Sequence, residues 1–175
     1  MPVIPYDNNR DPLLDWNAHL FTVQRLQYIL VTNTESLYSL VMPGRGITTD
    51  RQFIQSVRTG LQAFMARQGH HLRLEEEDPA SQDQDPFFSK TTNRRILGSM
   101  NDLIFQSKIR LEEGQQTPLD VSFYLNETPM SYLKYRSPKD IFQKLLLKGG
   151  VPSGQGQRAD NVIYLNKVRP TVSKG

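Results

Sequence analysis

Three apolar runs crowded into residues 16–42 constrain this chain more than any other feature. Regular structure is expected to begin at Trp16, after an extended lead-in holding Pro2, Pro5 and Pro12. Asn17 to Val23 and Gln27 to Thr32 are rich in β-branched and aromatic residues and are parted by a short polar-containing break, as in a hairpin. Ser36 to Met42 comes directly after them and stops at Pro43-Gly44, with Asn33-Thr34-Glu35 as a tight connection. Together they predict an antiparallel meander.

Beyond the meander the chain turns helical. Thr48-Thr49-Asp50 supplies an N-cap for a segment in which Phe53, Ile54, Val57, Leu61, Phe64 and Met65 recur with helical period until Gly69. A second helix is expected from about Asn93 to Arg110, with Ile96, Leu97, Met100, Leu103 and Ile104 on one face and Asn93 as cap. Leu72–Glu75 and Phe87–Thr91 each read as a strand, and Leu119–Leu125 fits either a strand or a short helix. Ser137-Pro138 opens a last helix that Gly149-Gly150 ends. The fold class is therefore α+β: a β-meander near the N-terminus packed with two or three amphipathic helices, forming one domain over residues 12–148. Residues 149–175 are expected to be a flexible connector and basic tail, with Asn161 to Val168 as one strand or a docking peptide.

Composition narrows the function classes. The 175 residues contain no Cys, which removes disulfides, thiolate nucleophiles and Cys-ligated metal sites and fits a reducing cytoplasm. No apolar run reaches the length of a membrane span, and Met1 to Arg10 has neither the basic start nor the apolar stretch of an export signal. A cytoplasmic location is expected. The net charge of +3 hides an asymmetry: residues 144–175 hold six Lys+Arg and one acid, Asp160, whereas the preceding residues are slightly acidic. Such a tail attracts nucleic acid or an acidic partner, or is only solvated. Glu75-Glu76-Glu77-Asp78 with Asp83 and Asp85 reads as a solvated loop, so neither a metal nor a cofactor is expected.

No phosphate loop, His-Glu-x-x-His, Gly-x-Ser-x-Gly or EF-hand spacing is present. Gly44-Arg45-Gly46 reads as the turn from strand to helix, the alternative being a backbone approach to a phosphate. Of three histidines, His70 and His71 come just after a helix end, while His19 lies inside the first strand as a candidate acid or base. The densest polar cluster is Ser89-Lys90-Thr91-Thr92-Asn93-Arg94-Arg95, at the start of the second helix. There free backbone N–H groups and the helix dipole favour an anion, and Lys90, Arg94 and Arg95 add charge-assisted donors. Asn101 lies seven residues after Arg94 and Asp102 seven after Arg95, so each pair shares a face two turns apart. The alternative is that the arginines pair with the acidic loop and Asn93 only caps the helix. Arg51, Gln55, Arg58 and Gln62 form a polar face on the first helix that reads as solvated, the alternative being a nucleic-acid contact.

Several of these residues fall into a pattern. Trp16-Asn17-Ala18-His19-Leu20, then Arg25, Val31-Thr32-Asn33, and Lys90-Thr91-Thr92-Asn93-Arg94 with Asn101 resemble a bacterial domain family of unknown function, number six-nine-three-three. Its pattern is W-x-A-x-L, a hairpin with a basic turn, a strand end with Asn or Asp, and K-T-x-x-R with an Asn seven residues after the Arg. The likeness covers about residues 12–140. Where the family often has W-H-A-N-L, His and Asn stand exchanged here, and its basic turn pair is reduced to Arg25-Leu26. The resemblance implies an α+β domain, sometimes encoded beside or fused to a plasmid-type open-reading-frame domain, and marks Trp16, His19, Arg25, Asn33, Lys90, Thr91, Arg94 and Asn101 without naming a reaction.

The leading expectation is a non-enzymatic module that holds nucleic acid or a phosphate-bearing ligand through Lys90, Thr91, Arg94, Arg95, Asn101, Arg25 and Asn33. One alternative is metal-independent phosphodiester cleavage, with His19 as acid or base and Lys90 and Arg94 stabilising phosphate charge. Another is a protein–protein interaction component that makes contact through Phe87-Phe88, Tyr132 and Tyr135.

Overall fold

A computed structural model describes residues 12–13, 15–70, 94–112, 114 and 116–149. The strands expected at 72–75 and 87–91, the acidic run at 75–85 and the tail beyond residue 149 lie outside these described residues.

The meander forms as the three apolar runs predict. Strands β1 (Trp16–Val23), β2 (Leu26–Asn33) and β3 (Ser39–Pro43) pair antiparallel in the order β1-β2-β3, with Trp16 opposite Asn33, His19 opposite Leu30 and Val31 opposite Leu40. Gln24 and Arg25 alone join β1 to β2, both at positive φ (47° and 67°), the two-residue turn whose twist matches that of the flanking strands. Pairing in β3 begins at Ser39 rather than at Ser36. The reason is Asn33, whose Oδ1 accepts hydrogen bonds from the Ser36 N–H (3.0 Å) and hydroxyl (2.8 Å), folding Ser36 to Tyr38 into the connection.

Alternation along the strands gives the sheet two apolar faces. Trp16, Ala18, Ile29, Val31 and Leu40 face one core with Val57, Leu61, Phe64 and Met65 of helix α1 (Asp50–Arg67). Phe21, Val23, Leu30 and Val41 face the other, with Ile96, Met100, Leu103 and Ile104 of helix α2 (Arg94–Glu112). Thr49 caps α1 reciprocally with Gln52, and the chain leaves that helix through Gln68 and Gly69, whose φ is 77°. The ambiguous segment at 119–125 is helical: Thr117 and Asp120 form a second capping box and Pro118 occupies the first turn, giving α3 (Pro118–Glu127). A short 3-10 turn (Ser131–Leu133) leads to α4 (Pro138–Gly149), whose Asp140 N–H bonds to the Ser137 hydroxyl. The result is α+β: the described residues form a three-stranded sheet with four α-helices after it. Phe142 of α4 closes the first core, stacked on Tyr38 at 4.2 Å and edge-on to Trp16.

Helix α3 lies along the free edge of β3 and satisfies it with side chains. The Val41 N–H donates to the Ser122 hydroxyl (2.8 Å); the Ser39 N–H donates to Asn126 Oδ1 (2.8 Å), and Asn126 Nδ2 donates back to the Ser39 carbonyl (2.7 Å). The match is geometric. Two strand residues span about 6.8 Å and four helical residues about 6.0 Å, so an i, i+4 pair on a helix can meet an i, i+2 pair on a strand. Asn126 is fully buried, and its remaining amide hydrogen goes to the Ser122 carbonyl at 2.8 Å. Replacing Asn126 with Ala strands two buried backbone groups of Ser39, so Asn126→Ala should cost about 2–4 kcal/mol in urea unfolding. Asn101→Ala, on the exposed face of α2, should stay within about 0.5 kcal/mol of wild type.

Candidate functional site

The two ends of the sheet differ, and the expected site residues divide between them. Gln24 in the β1–β2 turn donates through Nε2 to the Glu112 carbonyl (3.4 Å), so the C-terminus of α2 sits at this hairpin end. Arg110 of α2 lies against Tyr124 of α3, and α3 runs back along β3 from Val41 to Ser39, so α2, antiparallel to α3, extends its nineteen residues, about 28 Å, between the hairpin end and the other end of the sheet. Arg94 and Arg95 therefore emerge at the opposite end. Both are exposed, as is Asn101 two turns later on the Arg94 face. The first turn of α2 contains no acid, whereas α1, α3 and α4 place Asp50, Asp120 and Asp140 there. Lys90 and Thr91 lie outside the described residues.

Arg25 occupies the hairpin turn, the full length of α2 away from Arg94. Asn33 reaches the same end as Arg94 but faces inward. It is fully buried, its amide donates to the Pro12 and Asp15 carbonyls (2.8 and 3.1 Å) and its oxygen accepts both bonds from Ser36. Every donor and acceptor position of that side chain is thereby taken by the protein, and its role is to pin the lead-in to the β2–β3 connection. Trp16 does similar work, buried with its indole N–H on the Leu13 carbonyl at 2.8 Å.

His19 is half-buried on the face of β1 that meets α2. Its pKa is held below the ordinary 6.5, first by desolvation and second by the nearby Lys108 ammonium. Lys108 lies 14 residues after Arg94, about 21 Å along the helix, so His19 and Arg94 do not converge on one reacting group. Lys108 left no trace in the sequence, because strand-to-helix proximity across a sheet has no fixed spacing. Among the described residues, no group of three or more His, Asp or Glu side chains is placed to hold a metal ion.

A second basic element joins Arg94 and Arg95 at their end of the sheet. Since Ser122 meets Val41 and Asn126 meets Ser39, α3 runs toward the end from which Arg94 projects, and the chain leaves it there. Met130 and Leu133 then sink into the core that holds Ile96 and Met100, while Tyr132, Lys134, Tyr135 and Arg136 remain exposed. Tyr132 and Tyr135, the contacts expected of a protein–protein interaction component, are both exposed, and Lys134 and Arg136 flank Tyr135 in the sequence.

Compared with known proteins, residues 1–141 match the model of a family described as Domain of unknown function (DUF6933). The match takes in the whole sheet, α1 to α3 and the beginning of α4. No curated protein matches the chain. Among the described residues, no helix is long and apolar enough to cross a membrane.

The depressed pKa of His19 fixes the sign of a pH effect. The unfolded chain takes up a proton near pH 6.5 while the folded one resists it, so stability is complete above that value and falls as pH drops below it, levelling off under the folded pKa. His19→Gln should flatten that part of the curve of unfolding midpoint against pH between about 7 and 5. An unchanged slope would assign it to other groups.

Proposed function

The chain belongs to the DUF6933 family, and from the geometry of α2 we propose that it is a non-enzymatic binding module for nucleic acid or another phosphate-bearing ligand. The observation that carries this reading is the first turn of α2. There two exposed arginines stand where the helix dipole favours an acid and where the other α-helices among the described residues have an aspartate. A cation at that position works against the dipole, at a cost of about 0.3–1 kcal/mol. An anion bound beside it benefits from the dipole, the N–H groups of the first turn and the guanidinium at once. Asn101 extends the polar face two turns along, and Lys90 and Thr91 precede it in sequence. In this reading the protein acts in the cytoplasm of a bacterium, in the mobile-element setting that the family resemblance implies, and the basic residues after Lys144 add non-specific attraction for phosphate.

The test is a fluorescence-anisotropy titration with labelled single- and double-stranded DNA and RNA at several salt concentrations, since the slope of log K against log salt counts the phosphates neutralised. Arg94→Glu should lower affinity and shrink that slope by about 0.7–0.9 for each phosphate it ceases to neutralise. The same variant should unfold at an equal or higher urea midpoint, because it restores the sign the dipole prefers. Binding as tight as wild type by Arg94→Glu would remove the site from α2. No saturable binding by wild type at low salt would remove the function.

A further inference from the structure

We propose that the loop Met130–Arg136 is a stacking platform for the bases of single-stranded nucleic acid, with Tyr135 as the principal ring. This role rests on the phosphate-binding reading and adds to it the form of the ligand and a second contact surface. Tyr135 is 79% exposed, the most exposed of the large hydrophobic side chains among the described residues, and Tyr132 is 38% exposed. Between and beside them stand Lys134 and Arg136, both exposed, and the segment from Met130 to Ser137 carries no carboxylate. Glu127, the nearest acid before it in the chain, faces Lys139 at 3.9 Å.

The loop is built to hold its ring out rigidly. Met130 and Leu133 anchor it in the core. Five backbone hydrogen bonds of 2.9–3.2 Å close it on itself: Met130 to the Arg136 carbonyl, Leu133 and Tyr135 to that of Met130, Lys134 to that of Ser131, and Arg136 to that of Leu133. Lys134 and Tyr135 both have positive φ (54° and 61°), a region where Gly or Asn fits at lower cost. Neither side chain is buried, so packing does not explain why these residues stand there. An aromatic face flanked by cations does have a use: an unpaired base stacks on the ring while the adjacent phosphates meet the ammonium and guanidinium groups. A duplex hides the faces of its bases and cannot use the ring in this way. A protein partner would be expected to bury Tyr135 among apolar neighbours, and its exposed neighbours in the loop are instead Ser131, Tyr132, Lys134 and Arg136. Because the loop and the start of α2 share one end of the sheet, the strand would meet the loop cations and Arg94 along one path.

The experiment uses the full chain and three labelled probes by anisotropy: a 12-nucleotide oligo-dT, an abasic oligonucleotide of the same length, and a 12-base-pair duplex. Tyr135→Ala should weaken oligo-dT binding about tenfold and leave the abasic probe and the duplex unchanged, since only stacking is removed. Tyr135→Phe should bind oligo-dT as wild type does. Tyr135→Gly should lose the same stacking while its unfolding midpoint stays equal or rises, which separates a binding role from a structural one. Arg94→Glu should weaken all three probes. If Tyr135→Ala binds oligo-dT like wild type while Arg94→Glu does not, the platform is wrong and the phosphate site stands. Equal loss on oligo-dT and abasic probes would also overturn stacking, and failure of wild type to bind any probe would overturn both readings.

Discussion

The fold depends on an edge being closed by side chains. A three-stranded sheet leaves the outer N–H and C=O groups of its last strand open, and an open edge invites either another strand or aggregation. Here Ser122 and Asn126 take that role, with Val41 and Ser39 as their partners. Since these two residues face the strand edge, the rest of α3 is divided between the two sides of the sheet: Leu119 and Phe123 join the core with α1, Val121 and Leu125 the core with α2. One helix thus ends the sheet and ties both cores together. Arg110 of α2 reinforces the arrangement, its guanidinium lying 3.1 Å over the Tyr124 ring.

That closure also fixes where the chain can present charge. With α3 running antiparallel to α2, its exit and the start of α2 fall at the same end, and the fold pins that end at several points. Trp16, Tyr38 and Phe142 form an aromatic cluster there, the Tyr38 hydroxyl donates to Gln68 Oε1, and Asn33 locks the lead-in to the β2–β3 connection. Burial pushes the Tyr38 hydroxyl well above its ordinary pKa, so it remains a neutral donor.

The sequence revealed what is local and concealed what is tertiary. Strand runs, caps and stops needed only neighbours along the chain, and so the meander, α1, α2 and α4 could be read from the residues. Residues 119–125 could not be settled by pattern, because a helix that touches two cores and a strand edge is apolar on too many sides to show a clean period. The capping box at Thr117 and Asp120 was the legible clue. Asn33 shows the converse error. An Asn at a strand end looks available to a ligand, and only the folded chain reveals that Pro12, Asp15 and Ser36 use all of it. His19, likewise, acquires its neighbour Lys108 only when β1 and α2 meet.

Left-handed backbone separates the residues that the fold requires from those it merely carries. Among the described residues five non-glycine positions have positive φ: Gln24, Arg25, Leu37, Lys134 and Tyr135. Each such position costs a bulky L-residue about 1–2 kcal/mol. Leu37 offsets that cost by complete burial in the core with α2. Gln24 and Arg25 sit in a turn whose type demands positive φ, and Gln24 gains a bond to Glu112. The side chains of Lys134 and Tyr135 gain no burial to offset theirs, yet the loop around them is closed by five backbone hydrogen bonds. Strain that side-chain packing does not compensate is carried here by the hydrogen-bonded frame, in which Lys134 is the left-handed cap of the 3-10 turn.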